Sequence, residues 1–257
     1  MAVRALAPAK LTLALEVGAV RPDGLHELRA EMVAVDLADE LWFDDGDGLA
    51  VEGGDPSLDT GPDNLVVRAL HAVGRRAAVR LVKRVPVGGG LGGGSSDAAA
   101  VLRWAGCDDP AVALSLGSDV PFCLVGGRAE VGGAGEVVTP LPFVAESFVL
   151  LVPPFAVDTG AVYRAFDELG PGPPGANQLT RAAAAVAPEL AGWREALEEA
   201  TGSEPILAGS GATWFVEGRL EAFGLAGVGE LRRGGATGRL FEVRTVPAGW
   251  AGAAGAG

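Results

Sequence analysis

One segment of the chain combines residue types that suit phosphate binding. "PVGGGLGGGSSDAAAVL", residues 86–102, has six glycines in the seven positions 88–94 and continues with Ser95-Ser96-Asp97. Glycine is entropically costly to order, so such a run is typical of a place where the backbone must approach a ligand closely. A helix that begins here would direct its free N–H groups and its dipole at phosphate oxygens. The alternative interpretation is a flexible surface loop.

The glycine segment matches neither of the two best-known phosphate loops. A P-loop needs Lys followed by Ser or Thr after its last glycine, whereas Gly94 is followed by Ser95. Gly88, Gly90 and Gly93 have the G-x-G-x-x-G spacing of dinucleotide-binding folds. A run this rich in glycine satisfies that spacing by composition alone, and no repeating β-α series follows. The segment therefore predicts phosphate binding in a fold of another class.

A lysine near the N-terminus is the second candidate for chemistry. Only two of the 20 basic residues are lysine, Lys10 and Lys83, so arginine supplies nearly all the positive charge. Lys10 lies in "AKLTLALEV" (9–17), where leucines alternate with smaller or polar residues, as in a strand with one buried face. A lysine on the other face offers a compact point charge. It could equally be an exposed strand lysine.

Secondary-structure signals place the glycine segment between a strand and a helix. "AVRLVKRV" (78–85) predicts the strand, and Ser95-Ser96-Asp97 predict the N-cap of a helix that ends at Gly106. A further strand pair is predicted across Leu41–Val51, around two glycines.

The order of elements changes near residue 145, and the predicted class is α+β. After that point the pattern predicts a β-α-α-β-β-α-β unit, which would form a compact two-layer structure. We therefore expect an N-terminal domain over 1–145 and a C-terminal domain over 146–247. Residues 248–257 offer little apolar surface to bury and are expected to be a disordered tail.

Composition and charge limit the classes of partner. The 257 residues are 49% apolar and carry 33 acidic and 20 basic side chains, a net charge of −13. This balance disfavours a nucleic-acid or anionic-membrane surface and favours a small-molecule ligand held in a local pocket. Cys107 and Cys123 have no metal-like spacing and are expected to be buried thiols in a reducing cytoplasm. No signal-peptide or membrane-length apolar pattern is seen.

The motifs resemble those of the GHMP kinases, nearly from end to end. Residues 86–102 resemble the second motif of that superfamily, and "APAKLTLALEV", "DNLVVRA", "LGSDVPFCLVGG" and "AGSGATWF" resemble its other conserved blocks. Within the superfamily, the chain is most similar to the kinases of a cytidine-diphosphate-linked methylerythritol. The resemblance implies an N-terminal domain like ribosomal protein S5 domain 2, a ferredoxin-like C-terminal domain, and an active site between them.

The same resemblance implies a reaction and its cofactors. The γ-phosphoryl group of ATP, accompanied by Mg²⁺, would be transferred to the 2-hydroxyl of the methylerythritol, a step of the non-mevalonate route to isoprenoid precursors. The expected protein is a cytoplasmic monomer or homodimer with no nucleic-acid or membrane partner. Metal ligands are left unassigned, because Mg²⁺ bound to phosphates keeps several waters.

The catalytic pair that the resemblance implies is Lys10 and Asp119. Asp119 lies in "GSDVPF", directly before a predicted short helix, so its side chain could also be an ordinary N-cap. As a catalytic group it would accept the hydroxyl proton, or only orient the hydroxyl, because a loose transition state needs little early proton removal.

Two further sets of residues are implied to bind ligands. The expected ATP-binding residues are Asn64, Pro86, Val87, Gly88, Gly89, Gly90, Leu91, Gly92, Gly93, Gly94, Ser95 and Ser96. The expected substrate-binding residues are Thr12, Leu25, His26, Thr159 and Tyr163. Without the resemblance, His26 could be a turn residue and Tyr163 a core-packing residue of a helix.

Two of these positions depart from the family pattern. Thr12 stands where asparagine is usual, and Leu25 stands where a tyrosine usually stacks on the base. The departures leave two other functions open: a GHMP kinase for another small alcohol, or a catalytically silent ATP-binding protein. Retention of Lys10, Asp119 and the glycine segment disfavours the silent protein.

Overall fold

Two long strands begin the chain and pair antiparallel along almost their whole length: β1 (Val3–Val20) and β2 (His26–Asp44). The structure is a computed structural model, and it describes residues 2–54, 58–172 and 175–250. Pairing shifts register between Pro8 and Lys10 and again between Thr12 and Ala14. Such irregularities re-aim side chains and are frequent next to active sites. They flank the segment that carries Lys10 and Thr12.

Four shorter strands complete the first sheet: β3 (Gly48–Glu52), β4 (Ala78–Val82), β5 (Arg128–Gly133) and β6 (Val137–Leu141). Their order is β3-β4-β2-β5-β6, with β1 also paired to β2. The two strands predicted across Leu41–Val51 are present, as the end of β2 and as β3, but the prediction that they pair with each other was wrong. The end of β2 pairs with β4, and β3 pairs in parallel with β4 on its other side.

Four helices pack around this sheet: α1 (Leu65–Ala72), α2 (Gly93–Ala105), α3 (Pro110–Leu116) and α4 (Val120–Val125). The run Ala98–Leu102 of α2 is fully buried, because its small side chains allow close approach. This helix ends at Gly106, as predicted, but begins at Gly93 with Gly92 as its N-cap. Ser95 and Ser96 therefore lie inside the first turn rather than before it.

The second sheet follows β6 and is entirely antiparallel, in the order β10-β11-β7-β9-β8. Its strands are β7 (Ser147–Val152), β8 (Ile206–Leu207), β9 (Trp214–Glu217), β10 (Glu230–Arg233) and β11 (Ala236–Arg244). The helices α5 (Thr159–Leu169), α6 (Thr180–Val186) and α7 (Glu189–Thr201) lie between β7 and β8 in sequence. The predicted last helix is instead a 3-10 turn, Leu220–Phe223, followed by the additional strand β10. The α+β class is confirmed.

An apolar cluster joins the two sheets and holds the glycine segment. Leu11 and Val35 of the first sheet pack with Leu150 and Phe215 of the second, and Leu91 belongs to the same cluster. Leu91, the one non-glycine residue in the run 88–94, is therefore the side chain that anchors the segment at the junction.

The predicted domain division, the C-terminal tail and the two cysteines can be located in the structure. The proposed division at residues 145–146 falls between β6 and β7. Of the predicted tail 248–257, residues 251–257 lie outside the described residues, and 248–250 follow Pro247 in a turn. Cys123 is buried and Cys107 half-buried, both as free thiols. In the parts of the chain that the structure describes, no helix has the length and apolarity needed to span a bilayer.

Candidate active site

Strand β1 presents a buried ammonium group next to a carboxylate. Lys10 is 6% exposed and Thr12 2% exposed. Lys10 Nζ donates to Thr12 Oγ1 at 3.2 Å and lies 3.4 Å from Asp119 Oδ2. The polar face of the strand is thus buried at this point, whereas the alternation predicted burial of the apolar face alone.

Asp119 stands at the N-cap position of α4, yet its side chain makes no capping hydrogen bond. The carboxylate faces Lys10 instead, and the Asp119 side chain remains 32% exposed. The N-cap interpretation therefore describes its backbone position but not the use of its oxygens. A partly exposed carboxylate beside a buried ammonium group is suited to accept or orient a hydroxyl proton.

The glycine segment lines a cavity of about 300 Å³. Helix α2 opens on this cavity, and its first N–H groups have no partner within the helix. No acidic side chain lies in its first turn among residues 93–96. This end of α2 is therefore an anion-binding position that suits a phosphate group.

Close approach explains two of the glycines. Gly92 has a φ of +66°, and a Cβ there would lie 2.7 Å from Lys10 Cγ. Gly90 has a φ of +79°, and a Cβ there would lie 2.8 Å from the Gly211 Cα. The segment thus packs against the Lys10 side chain on one side and against a second glycine-rich loop, 209–211, on the other.

The structure places the expected ATP-binding residues in two groups. Those that line the 300 Å³ cavity are Asn64, Pro86, Val87, Gly88, Gly90, Leu91, Gly92, Gly93 and Gly94. Gly89, Ser95 and Ser96 are not among its lining residues. The Gly89 carbonyl accepts a hydrogen bond from Thr213 Oγ1 at 2.6 Å. The buried Ser96 hydroxyl donates to the Pro8 carbonyl at 2.6 Å, a structural bond where the sequence predicted a phosphate donor.

A buried charge cluster, two of whose members line the same cavity, was missed by sequence reasoning. Lys83 Nζ donates to Asp39 Oδ2 and, at 2.8 Å, to Asp97 Oδ2. Among the described residues, Asp97 Oδ1 has no hydrogen-bond partner. Burial raises the pKa of Asp97 to about 8. Burial alone would lower the pKa of Lys83, but the two carboxylates outweigh it and raise that pKa. The rarity of lysine was the one available signal.

The second glycine-rich loop also borders Lys10. A Cβ on Gly209 would lie 3.5 Å from Lys10 Nζ and 3.5 Å from Thr12 Oγ1. The next residue, Ser210, hydrogen-bonds through its hydroxyl to Thr159 Oγ1 at 3.0 Å. The structure therefore brings Thr12 and Thr159, two of the expected substrate residues, next to the same short loop.

The other expected substrate residues form an aromatic site. The His26 ring stacks on Tyr163, with centroids 5.4 Å apart and planes inclined by 23°. His26 Nε2 lies 3.1 Å from Asp167 Oδ1, a contact that the sequence did not suggest. Burial, and to a lesser extent the charge of Asp119, raises the pKa of Tyr163 to about 12. Leu25 is 53% exposed on the turn between β1 and β2.

Comparison with known proteins shows extensive similarity. Residues 64–127 match the family model described as GHMP kinases N terminal domain. The 4-diphosphocytidyl-2-C-methyl-D-erythritol kinase of Pelotomaculum thermopropionicum is 41% identical over 256 aligned residues, which cover 84% of this chain and 88% of that protein.

Solved structures show the same relationship. A crystal structure of 4-(cytidine 5'-diphospho)-2C-methyl-D-erythritol kinase matches with a TM-score of 0.71 and 33% identity, covering 95% of this chain and 100% of that chain. The mevalonate-3-kinase of Thermoplasma acidophilum matches with a TM-score of 0.58 and 11% identity, covering 96% of each chain. The second match shows a shared fold alone.

Proposed function

Because the chain belongs to the 4-diphosphocytidyl-2-C-methyl-D-erythritol kinases of the GHMP superfamily, we propose that it phosphorylates the 2-hydroxyl of that compound with ATP. The resemblance and the GHMP kinase fold predicted from the sequence are confirmed. Membership in a kinase family implies use of ATP. The observation that carries the proposal is the Lys10–Asp119 pair, at 3.4 Å, beside a helix start that opens on a cavity.

In the proposed complex, ATP lies along the glycine segment. The phosphates meet the backbone of residues 88–94 and the first N–H groups of α2, where the helix dipole favours negative charge. The adenine takes the part of the cavity lined by Asn64 and Leu81. The side-chain oxygen of Asn64 accepts from the Val66 amide at 2.8 Å, so Asn64 also fixes the helix that forms this wall.

Transfer then needs the hydroxyl between Asp119 and the γ-phosphorus. As the hydroxyl oxygen bonds to phosphorus, its proton passes to Asp119, and the bond between the γ-phosphorus and the β,γ-bridging oxygen breaks to release ADP. Lys10 Nζ neutralises charge on the transferring group, because a buried point charge acts more strongly than one in water. If the transition state is loose, Asp119 chiefly orients the hydroxyl.

The side-chain oxygens present fit a magnesium ion that takes most of its ligands from ATP and water. Bound at this site, Mg²⁺ would supply positive charge that offsets the negative charge developing on the transferred phosphoryl group. Among the described residues, no group of three or more His, Cys, Asp and Glu side chains could hold a metal. The partly exposed carboxylate of Asp119 is a side chain that would supply an oxygen ligand here.

The cytosine is proposed to bind at the aromatic site. Tyr163 provides a planar ring on which a base can stack, and His26 is held against it. Leu25 offers an apolar surface where the family usually has a second ring. Thr12 and Thr159, both next to the 209–211 loop, would contact the part of the substrate between the base and the reacting hydroxyl.

ADP release with a panel of alcohols tests this proposal. The panel contains 4-diphosphocytidyl-2-C-methyl-D-erythritol, its uridine analogue, homoserine and mevalonate. We expect turnover with the cytidine compound above all others. Preference for another alcohol would show that the substrate is not the proposed one, and would indicate that Thr12 and Leu25 have changed the specificity. ATP binding without turnover of any alcohol would favour the silent protein.

We further propose that the enzyme is cytoplasmic and that its partners are ATP and the small-molecule substrate; a net charge of −13 disfavours nucleic-acid and anionic-membrane partners. A monomer or a homodimer would be compatible with this function.

A further inference from the structure

Asn177 is a buried side chain outside the residues assigned so far, and its amide group is fully used. It is 8% exposed. Its Nδ2 donates to the carbonyl oxygens of Leu207, at 2.8 Å, and Gly209, at 2.6 Å. Its Oδ1 accepts from the Leu179 amide at 2.9 Å. The reverse amide orientation would set an oxygen against two carbonyl oxygens, so the network fixes its orientation.

The segment that carries Asn177 is attached to strand β1. The Leu15 amide donates to the Ala176 carbonyl at 2.7 Å, and the Gln178 amide donates to the Leu15 carbonyl at 3.0 Å. Leu15 and Asn177 form an isolated parallel bridge. Asn177 is thereby fixed to the strand that carries Lys10 and Thr12, while its side chain reaches the loop after β8.

The loop that Asn177 holds lies next to Lys10 and is also hydrogen-bonded to the glycine segment. Gly209 is the residue whose added Cβ would lie 3.5 Å from Lys10 Nζ. Further along the same loop, the Thr213 hydroxyl and amide both donate to the Gly89 carbonyl, at 2.6 and 3.3 Å. A shift of this loop would therefore displace both the surroundings of Lys10 and the glycine segment.

We propose that Asn177 is a positioning residue for phosphoryl transfer. It ties the loop 207–209 to β1, so that Lys10, Thr12 and the glycine segment keep one relative arrangement. The expected effect on kcat rests on the proposed function, whereas the expected effect on the position of the loop does not. Two donated hydrogen bonds to buried carbonyls fix a loop more firmly than one, and misplacement by about 1 Å can reduce transfer by about 100-fold.

Asn177→Asp is the sharpest variant, because it keeps the shape and the oxygen that accepts from Leu179. It replaces both N–H donors by an oxygen that faces two carbonyl oxygens. The matched control is Gln178→Met. That change removes the bond from the Val17 amide to Gln178 Oε1, at 2.8 Å, in the same segment on the same strand. The control leaves the contacts with Leu207 and Gly209 in place.

Two readouts are compared well below the melting temperature of each variant. We expect kcat of Asn177→Asp to fall about 10- to 100-fold while KM for ATP stays within about threefold, which is the pattern of lost transition-state positioning. Amide hydrogen exchange of residues 207–213 should increase in Asn177→Asp. Both readouts should match wild type in Gln178→Met. Asn177→Ser, which is smaller and uncharged, is expected to behave like Asn177→Asp and replaces it if that variant does not fold.

A purely structural role would give a different result. If Asn177→Asp melts at a lower temperature but keeps wild-type kcat, the inference is overturned, and so it is if loop exchange is unchanged. Wild-type failure to phosphorylate the methylerythritol compound would instead overturn the proposed function. In that case kcat is compared with the alcohol that the panel identifies, and hydrogen exchange needs no substrate at all.

Discussion

The Nζ atom of Lys10 lies 3.4 Å from Oδ2 of Asp119, although the two residues stand on different elements, β1 and the start of α4. The Lys10 side chain is almost fully buried, whereas Asp119 is partly open to solvent. The ammonium group is thus held in place before ATP arrives, and the carboxylate can still meet a substrate hydroxyl. This arrangement needs no large rearrangement at the moment of transfer.

Lys10→Met should remove the charge and leave the apolar stem. We expect kcat to fall about 100- to 1,000-fold, with a smaller change in ATP affinity, because the ammonium group acts mainly on charge that develops during transfer. Lys10→Arg should not restore activity, because a planar guanidinium does not reproduce the compact point charge that Lys10 places 3.4 Å from Asp119 Oδ2. Steady-state kinetics with ATP binding measured by calorimetry separates the two effects. Wild-type kcat in Lys10→Met would remove Lys10 from the mechanism.

Gly92→Ala should misplace Lys10. The new Cβ would meet Lys10 Cγ at 2.7 Å, and the φ of +66° would be strained for alanine. We expect kcat to fall roughly 10- to 100-fold. Gly74→Ala is the matched control, because Gly74 has a φ of +62° but nothing within 4 Å of an added Cβ. It carries the same backbone strain without touching the site. Equal kinetic losses in both variants would contradict the role given to Gly92.

Asp167→Asn should weaken substrate binding without slowing transfer. The Asp167 carboxylate lies 3.1 Å from His26 Nε2 and is half exposed. Partly exposed ion pairs contribute under about 1 kcal/mol to holding their side chains in place. KM for the cytidine substrate should therefore rise roughly three- to fivefold at unchanged kcat. Glu168→Gln, which neutralises the next carboxylate of α5, is the control. A fall in kcat alone would show that His26 is not held for substrate binding.

Asp97→Asn should change how stability depends on pH. Burial raises the pKa of Asp97 in the folded state to about 8, from an ordinary value of 3.8. Between these values the folded state binds more protons than the unfolded chain, so this group makes the free energy of unfolding fall as pH rises. The asparagine binds no proton. Urea unfolding should therefore show that the free energy of unfolding falls less between pH 5 and pH 8 in the variant than in wild type. Parallel losses would contradict a protonated Asp97.

Local signals in the sequence were sufficient to predict those parts of the site that lie on a single strand, helix or loop. The alternation around Lys10 identified β1, and the glycine run identified the loop that precedes α2. The N-cap of α2 was placed at least three residues late, because Ser95 and Ser96 resemble capping residues while Gly92 takes the N-cap position. Strand β10 was missed since "ELRR" is polar and shows no apolar alternation.

Contacts between distant segments could not be read from the sequence. The partners of Lys83 are Asp39 and Asp97, which come from β2 and α2. The polar face of β1 is buried because loops from two later parts of the chain cover it, and periodicity carries no information about such covering. Asn177 was not among the predicted site residues, since its role depends on a loop some thirty residues further along.

The most direct test of the central claim is to identify the product by phosphorus NMR after incubation with ATP, Mg²⁺ and 4-diphosphocytidyl-2-C-methyl-D-erythritol. The account predicts ADP and a new phosphomonoester on the 2-hydroxyl, formed about 100- to 10,000-fold more slowly by Asp119→Asn. It would be contradicted by a folded wild-type protein that binds ATP but forms no such ester, or by an Asp119→Asn variant as fast as wild type.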